Sequence, residues 1–458
     1  MIIVKVPSIH RKRSLNMGNF KYKLHIVGML AMALLLTACG SITGAAGMVD
    51  KKGAAAPGKQ ITLKMWHIWV TDSESNKKPF EKAVHDWNAA NPLVQIELEA
   101  TENETYKTKI RTAIAVNEAP DIFYSWGAGV AKPFVEAGKV LPLDVYLNDG
   151  TKDRLLPGSL DYFTYDGKIY GLPIYIITGL FYCNQELFDK NGIRIPETYD
   201  ELLEAVKGFK QKGIIPMTVG EKDGWPGIFY QNILAIRTAG TRLCNQALDK
   251  QETFDQPAFI ESAQRLRELI QAGAFDSRCM NLTRDESELD FKEGRVAMYY
   301  NGSWLAGSLE SEECPVKGKI TVRNFPVLQN SGGDPDGFLG GAIDTFMISA
   351  NTRHRDEAAA ALKTIVESFC RESYLSGAGI PAWKLNVDES QVSPLAADIS
   401  RLLKSSTGFV LAWDTFLTAS EAQTHINLVA DIFADKLSAE DFAAEMQKLN
   451  KTELQSQK

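Results

Sequence analysis

The side chains best suited to binding chemistry in this chain are tryptophans and acidic residues beside expected strand ends. Flat aromatic rings stack on weakly apolar C–H faces, and carboxylates accept hydrogen bonds from hydroxyl groups. Trp87 falls on the apolar stripe of an expected helix. The other tryptophans fall at expected strand ends or in loops: Trp66, Trp69, Trp126, Trp225, Trp304, Trp383 and Trp413. Packing in the core or at its rim is the ordinary role of a tryptophan, and contact with a ligand is the alternative at these positions.

The sequence carries none of the common motifs for hydrolysis, phosphate binding or metal binding. G-x-S-x-G, the P-loop and H-E-x-x-H are missing, and no two of the 6 histidines stand four residues apart. The 6 cysteines form no C-x-x-C pair, which argues against a zinc site. A disulfide between Cys244 and Cys279 is possible, but sequence alone cannot establish it. We expect no cofactor, no metal and no catalytic residue.

Strands that alternate with helices dominate the first part of the chain. Residues 61–66 and 94–99 alternate like strands, 119–124 form a third, and amphipathic helical patterns lie between them. This order predicts an α/β fold with parallel strand pairs. Ligands bind at the carboxyl ends of strands in such sheets, which brings residues 66–74 and Trp126 to one rim.

The N-terminus has the features of an export signal. Lys21 and Lys23 precede an apolar run over 26–36, too short to cross a bilayer permanently, and LTAC follows at 36–39. That ending resembles the bacterial lipobox, in which the cysteine receives a diacylglycerol. We therefore expect a signal peptide over 1–38, a lipid on Cys39, and a flexible lipid-anchored tether over 39–60. A plain signal with Cys39 as one more apolar residue is the alternative.

The charge of the remaining chain disfavours nucleic acid as a partner. Residues 1–38 carry six of the 50 basic side chains and no acidic one, so 44 basic and 57 acidic side chains remain, a net charge of −13. Binding to nucleic acid requires basic surface. Some 400 residues exceed the size at which one core stops growing, so two lobes are expected.

Four stretches in this order resemble the sugar-binding lipoproteins of bacterial ABC importers, a family related to maltose-binding protein. They are APDIF (119–123), DGKIYGLP (166–173), FYCNQELF (181–188), and FKEGRVAM (291–298) running into GSW (302–304). The resemblance covers almost all of 61–450. The sequence departs from the family pattern at two packing or turn positions. Cys183 stands where the family commonly has an aromatic residue, and Gln185 stands where it commonly has a lysine.

The resemblance implies a two-lobe α/β fold of the periplasmic-binding-protein type, with the ligand cleft between the lobes. We expect lobe 1 to hold 61–170 and 321–370, and lobe 2 to hold 171–320 and 371–458. The crossings are expected near 170–174, 321–327 and 370–378. The same resemblance implies a carbohydrate ligand and, as partners, the permease subunits of an ABC importer. It also implies a monomer that is anchored to the membrane outside the cytoplasm and has no enzymatic activity.

The candidate ligand contacts are aromatic and polar residues of the expected cleft. Trp126 and Trp304 are the favoured stacking residues, because the family has aromatics at matching positions. Each remaining candidate has a structural alternative: a core aromatic, a solvated acid, a turn cap or hinge packing. They are His67, Trp69, Glu74, Tyr175, Trp225, Asp344, Trp413 and Asp414. A secreted glycosidase, which needs two flanking carboxylates, and a receptor for a peptide or glycerol phosphate are the rival functions.

Overall fold

The computed structural model describes residues 59–454, and side chains up to residue 450. The strands are β1 (Ile61–His67), β2 (Val94–Ala100), β3 (Ile122–Trp126), β4 (Thr164–Tyr165), β5 (Lys168–Ile169), β6 (Gly171–Pro173), β7 (Tyr175–Asn184), β8 (Ile215–Met217), β9 (Val296–Gly302), β10 (Ile320–Arg323), β11 (Gly337–Gly341), β12 (Asp344–Ile348), β13 (Ile380–Pro381) and β14 (Gly408–Val410).

The helices are α1 (Lys77–Ala90), α2 (Asn103–Ala115), α3 (Ala128–Glu136), α4 (Gln185–Asn191), α5 (Tyr199–Gln211), α6 (Trp225–Leu248), α7 (Pro257–Ala272), α8 (Arg284–Lys292), α9 (Leu305–Leu309), α10 (Arg355–Leu375), α11 (Pro394–Leu403), α12 (Trp413–Phe416), α13 (Ala419–Phe433) and α14 (Ala439–Leu454). Over the described part of the chain, no helix combines the length and apolarity that a bilayer crossing requires.

Lobe 1 is built on a five-stranded sheet with the order β2-β1-β3-β12-β6. β1 runs parallel to β2 and β3, whereas β12 runs antiparallel to β3 and β6. Leu63 and Met65 of β1 are buried because alternate residues of the strand face the helices. Their core includes Phe80 of α1, Ile110 of α2 and Phe369 of α10.

Lobe 2 is built on a seven-stranded sheet, in which β14-β11-β7-β9-β8 form the main path and β10 and β13 also pair with β7. α5 begins at a capping box between Thr198 and Glu201, and its apolar face packs into the core of this lobe. The predicted two-lobe α/β fold is confirmed.

The chain changes sheets between β6 and β7, between β11 and β12, and after α10. The second crossing therefore lies at residues 341–344, and the prediction of 321–327 was wrong. β10 pairs antiparallel with β7, and β11 pairs with both β7 and β14, so residues 320–341 belong to lobe 2 rather than lobe 1. An alternating pattern identifies a strand but does not show which sheet the strand joins.

The five cysteines that the structure describes, Cys183, Cys244, Cys279, Cys314 and Cys370, are all unpaired thiols. The disulfide between Cys244 and Cys279 that the sequence left open is therefore not formed. Burial raises the pKa of the Cys370 thiol to about 12 and that of the Cys279 thiol to about 11. Both side chains remain neutral at ordinary pH and act as packing groups.

Candidate ligand cleft between the lobes

A cleft of about 620 Å³ opens between the two lobes and is lined by both of them. Lobe 1 contributes the loop after β1, the face of α2 and the end of β3. Lobe 2 contributes the N-termini of α6 and α8, the turn after β9, and α12. The crossing strands form the floor. All but two of the predicted contact residues line the cleft: Trp69, Glu74, Trp126, Tyr175, Trp225, Trp304, Asp344 and Asp414.

Trp126 forms the aromatic part of the lobe 1 wall. It is the last residue of β3, and its ring is held edge-on by Tyr124, with centroids 5.0 Å apart and an interplanar angle of 88°. The Lys107 ammonium lies 5.7 Å from the centroid of the Trp126 ring. Trp126 pairs in register with Asp344 of β12, so an aromatic face and a carboxyl stand side by side at the strand ends.

Three rings in lobe 2 form a second aromatic surface, which we call the lobe 2 platform: Trp225, Phe229 and Trp304. The centroid of Trp304 lies 6.0 Å from that of Trp225 and 6.1 Å from that of Phe229. The Trp304 indole Nε1 donates to Glu288 Oε1 at 3.2 Å, which fixes the orientation of the ring. The buried Trp225 Nε1 has no hydrogen-bond partner among the described residues, so this donor is left unsatisfied.

Asp344 is a buried carboxyl on the floor of the cleft. Its side chain is 3% exposed, and Oδ1 has no hydrogen-bond partner in the described part of the chain. Burial raises the pKa of Asp344 to about 7, and the hydroxyls of Tyr124 and Tyr175 act against that rise. A buried acceptor without a partner costs free energy, which a ligand hydroxyl would recover by donating to it.

Asp414 provides a second carboxyl, from the first turn of α12. Burial raises its pKa to about 6, and the positive charge of Lys107 across the cleft opposes the rise. Oδ1 of Asp414 is also without a hydrogen-bond partner among the described residues. The turn is held in place because Asn232 Oδ1 accepts from the Trp413 backbone N–H at 3.0 Å.

Glu74 lines the cleft, but its carboxylate is largely engaged within its own loop. Glu74 Oε2 accepts from the Val70 N–H at 2.7 Å and from the Thr71 N–H at 2.9 Å. Oε1 lies 3.9 Å from Arg284 Nη2 of lobe 2. Glu74 therefore stabilises the loop and faces a cation of the other lobe.

His67 and Trp413 lie outside the cleft lining, unlike the other predicted contacts. His67 is 2% exposed, and its Nδ1 accepts from the Trp69 N–H at 3.3 Å. Burial, with the charge of Lys77, lowers its pKa to about 4, so the ring is neutral. Trp413 is fully buried and stacks on His425 with ring centroids 5.0 Å apart. Both side chains point into their own lobe, while their neighbours in sequence face the cleft.

Sequence reasoning missed the charged residues that the lobe 2 helices bring to the cleft. Arg284 and Glu288 stand one turn apart on α8 and pair at 3.2 Å. Asp223 precedes α6 and accepts from the Arg284 backbone N–H at 2.7 Å. The capping box of Thr283 and Glu286 could have identified the start of α8, but nothing in the sequence showed that this start faces lobe 1.

The two lobes contact each other directly in this structure. Ser75 Oγ of lobe 1 donates to the Trp304 carbonyl of lobe 2. Gly129 at the start of α3 faces the carbonyls of Phe416 and Leu417, and a Cβ built on Gly129 would lie 2.2 Å from the Leu417 oxygen. Only glycine permits this approach, so the two lobes are in close contact on this side of the cleft.

No group of three or more histidine, cysteine or acidic side chains in the described residues is arranged to hold a metal ion. The polar groups that line the cleft include carboxylates, indole N–H groups, amides, hydroxyls and the cations of Lys107, Arg111 and Arg284, all of which can hydrogen-bond to hydroxyl groups. The arrangement can enclose a neutral, hydroxyl-rich molecule between two aromatic surfaces.

Comparison with known proteins agrees with this geometry. The Multiple sugar-binding protein of Streptococcus mutans is 22% identical over 387 residues, 81% of this chain and 85% of that protein. A structure reported with work on xylan utilization by the thermophilic bacterium Caldanaerobius polysaccharolyticus is 45% identical, with a TM-score of 0.82 over 85% of this chain and 99% of that one. A Chitin oligosaccharide binding protein is 27% identical, with a TM-score of 0.78 over 86% of this chain and 99% of that one. Residues 71–367 match the family described as bacterial extracellular solute-binding protein, and the chain belongs to that family.

Proposed function

We propose that this protein captures a sugar or oligosaccharide outside the cytoplasm and delivers it to an ABC import permease. One observation carries the proposal: Asp344 and Asp414 line a cleft that has aromatic surfaces on both walls, and Oδ1 of each has no hydrogen-bond partner among the described residues. Hydroxyl edges fit the carboxyls and C–H faces fit the rings. Similarity to sugar-binding proteins and to a structure from xylan utilization supports the same ligand class.

Capture follows from contacts that a ligand makes with both lobes at once. Trp126 belongs to lobe 1, whereas Trp225 and Trp304 belong to lobe 2. A ligand that touches both walls binds the closed state better than an open one, and this difference in affinity shifts the population to the closed state. A closed receptor is then the form that the permease accepts.

The first test is calorimetry on residues 51–458 with xylo-, cello-, malto- and chito-oligosaccharides of two to six units, followed by chromatography of the sugars. We expect at least one series to bind and every sugar to be recovered intact. Hydrolysis of any sugar would favour the rival function, a glycosidase. In that case the two carboxyls of raised pKa would be the first residues to examine. Binding of a peptide or glycerol phosphate, with no sugar bound, would contradict the sugar assignment.

Anchoring to the membrane through Cys39 is part of the proposal and lies outside the described residues. The apolar run and the LTAC sequence at 36–39 support a cleaved signal and a lipidated cysteine, from which a monomeric body is tethered. We expect the Cys39→Ser variant, expressed in a bacterial host, to take up no labelled palmitate and to leave the membrane fraction. Equal membrane retention of both forms, with no label in either, would contradict a lipid anchor.

A further inference from the structure

The loop after β1 meets lobe 2 at the residue that carries the aromatic platform. Ser75 Oγ donates to the Trp304 carbonyl, and the neighbouring Glu74 faces Arg284 with 3.9 Å between Oε1 and Nη2. A short segment of lobe 1 therefore contacts both the backbone of Trp304 and Arg284 at the start of α8. Glu74 and Arg284 belong to different lobes, so the distance between them depends on how far the lobes are closed.

Arg284 connects this loop to the Trp304 ring. Its side chain is 15% exposed, and Nη1 donates to both carboxylate oxygens of Glu288 at 3.2 Å. Glu288 is 6% exposed, and its Oε1 also accepts from Trp304 Nε1 at 3.2 Å and from Asn301 Nδ2 at 2.9 Å. The chain of contacts from lobe 1 thus runs from Glu74 through Arg284 and Glu288 to the indole.

The charges around Arg284 support a role in closure. Burial acts to lower the pKa of the guanidinium, but Glu288, Asp285 and Glu74 outweigh it, so Arg284 stays charged. Glu288 and Asp285 belong to the same helix and remain beside Arg284 in either state of the lobes. Glu74 comes from lobe 1, as does Glu102, whose pKa the charge of Arg284 helps to lower. The approach of these two carboxylates is the part of the electrostatic free energy that depends on closure.

We propose that Arg284 is a positioning residue that couples lobe closure to the orientation of the Trp304 ring. In the closed state Glu74 engages one side of the guanidinium while Glu288, held on the other side, fixes the indole that receives the ligand. Loss of Arg284 leaves encounter with the ligand unchanged, because encounter uses the open cleft. It speeds ligand release, because the closed state is less populated. The effect on ligand release rests on the proposed sugar-binding function, whereas the effect on closure does not.

The test compares Arg284→Met with Arg278→Met, a matched control on the same side of lobe 2. Arg278 pairs with Asp276 at 2.6 Å and with Asp290 of α8 at 2.8 Å, and both partners belong to lobe 2. We expect Arg284→Met to raise the dissociation rate of xylotriose about tenfold, with an association rate within about twofold of the unmodified protein. Stopped-flow tryptophan fluorescence measures both rates. The control should change neither.

A double-mutant cycle separates coupling from a purely structural role. Glu74→Gln keeps an oxygen for the Val70 and Thr71 N–H groups but removes the charge that faces Arg284. We expect the double variant to release xylotriose no faster than Arg284→Met alone. Additive effects, or an equal loss in the Arg278→Met control, would overturn the proposal. A lowered association rate in Arg284→Met would instead identify Arg284 as a direct ligand contact and would also overturn it.

Small-angle scattering of the unliganded protein tests closure without any sugar. Arg284→Met should have a larger radius of gyration than the unmodified protein. Raising NaCl from about 0.05 M to about 0.5 M should open the unmodified protein towards the same value. Identical scattering of both proteins at both salt concentrations would overturn the closure role. If no panel sugar binds the unmodified protein, the proposed function fails, and the scattering result still decides the role of Arg284.

Discussion

Replacing Trp304 with alanine should lower affinity for the bound oligosaccharide about 100-fold, the loss typical of a central aromatic anchor. Trp304 is the centre of the lobe 2 platform, in contact with both Trp225 and Phe229. Its backbone carbonyl also accepts a hydrogen bond from the Ser75 hydroxyl of lobe 1. Truncation removes the stacking surface and leaves Glu288 Oε1 without its indole donor. Calorimetry with the tightest-binding sugar of the panel measures the loss.

Two further variants determine whether the loss at Trp304 belongs to the cleft. Trp126→Ala on the opposite wall should also weaken binding, because one ligand touches both walls. Trp66→Ala is the matched control: its ring lies outside the cleft lining, with the Lys109 ammonium 4.0 Å from its centroid. The sugar does not stack on the lobe 2 platform if Trp304→Ala binds it as tightly as the unmodified protein does. The same conclusion follows if Trp66→Ala loses as much affinity as Trp304→Ala.

Asp344→Asn should stabilise the unliganded protein at pH 8 while weakening sugar binding about tenfold. The folded pKa of Asp344 is raised from 3.8 to about 7 by burial, so folding disfavours the carboxylate. At a pH above 7 the buried carboxylate costs about 4 kcal/mol of folding free energy. Asparagine has a similar shape but stays neutral, so the Asn variant does not carry this cost. A carboxylate accepts hydroxyls more strongly than an amide, so the ligand loses a strong hydrogen bond.

The sign of the pH dependence follows from the raised pKa. The neutral acid is present in both folded and unfolded protein below about pH 4, so Asp344 carries no penalty there. Stability is lost as pH rises from about 4 through 7, because the Asp344 carboxyl ionises in the unfolded chain while it stays protonated in the folded protein. Urea unfolding of both proteins at pH 4.5 and pH 8 should show a difference that grows with pH. A difference independent of pH would show that Asp344 is not a buried acid of raised pKa.

Local patterns in the sequence determined the elements and the class of site. Alternation over 61–66 and 94–99 identified β1 and β2, because a strand between core and solvent must alternate. Aromatic and acidic residues after strands pointed to a hydroxyl-rich ligand, and the structure brings Trp126, Trp304 and Asp344 to one cleft. These inferences depend on residues close in sequence, and the geometry of helices and strands fixes where such residues point.

Tertiary structure decided what depends on partners distant in sequence. Residues 320–341 join lobe 2 because β10 and β11 find hydrogen-bonding partners on β7, a pairing that alternation cannot specify. Trp413 is in the core and Asp414 is in the cleft because the short helix α12, which carries both residues, packs against α6 and α13. This packing fixes the direction in which each side chain points. Arg284 meets Glu74 only because two lobes close on each other. Since most of these contacts join segments far apart in sequence, only the assembled molecule shows them.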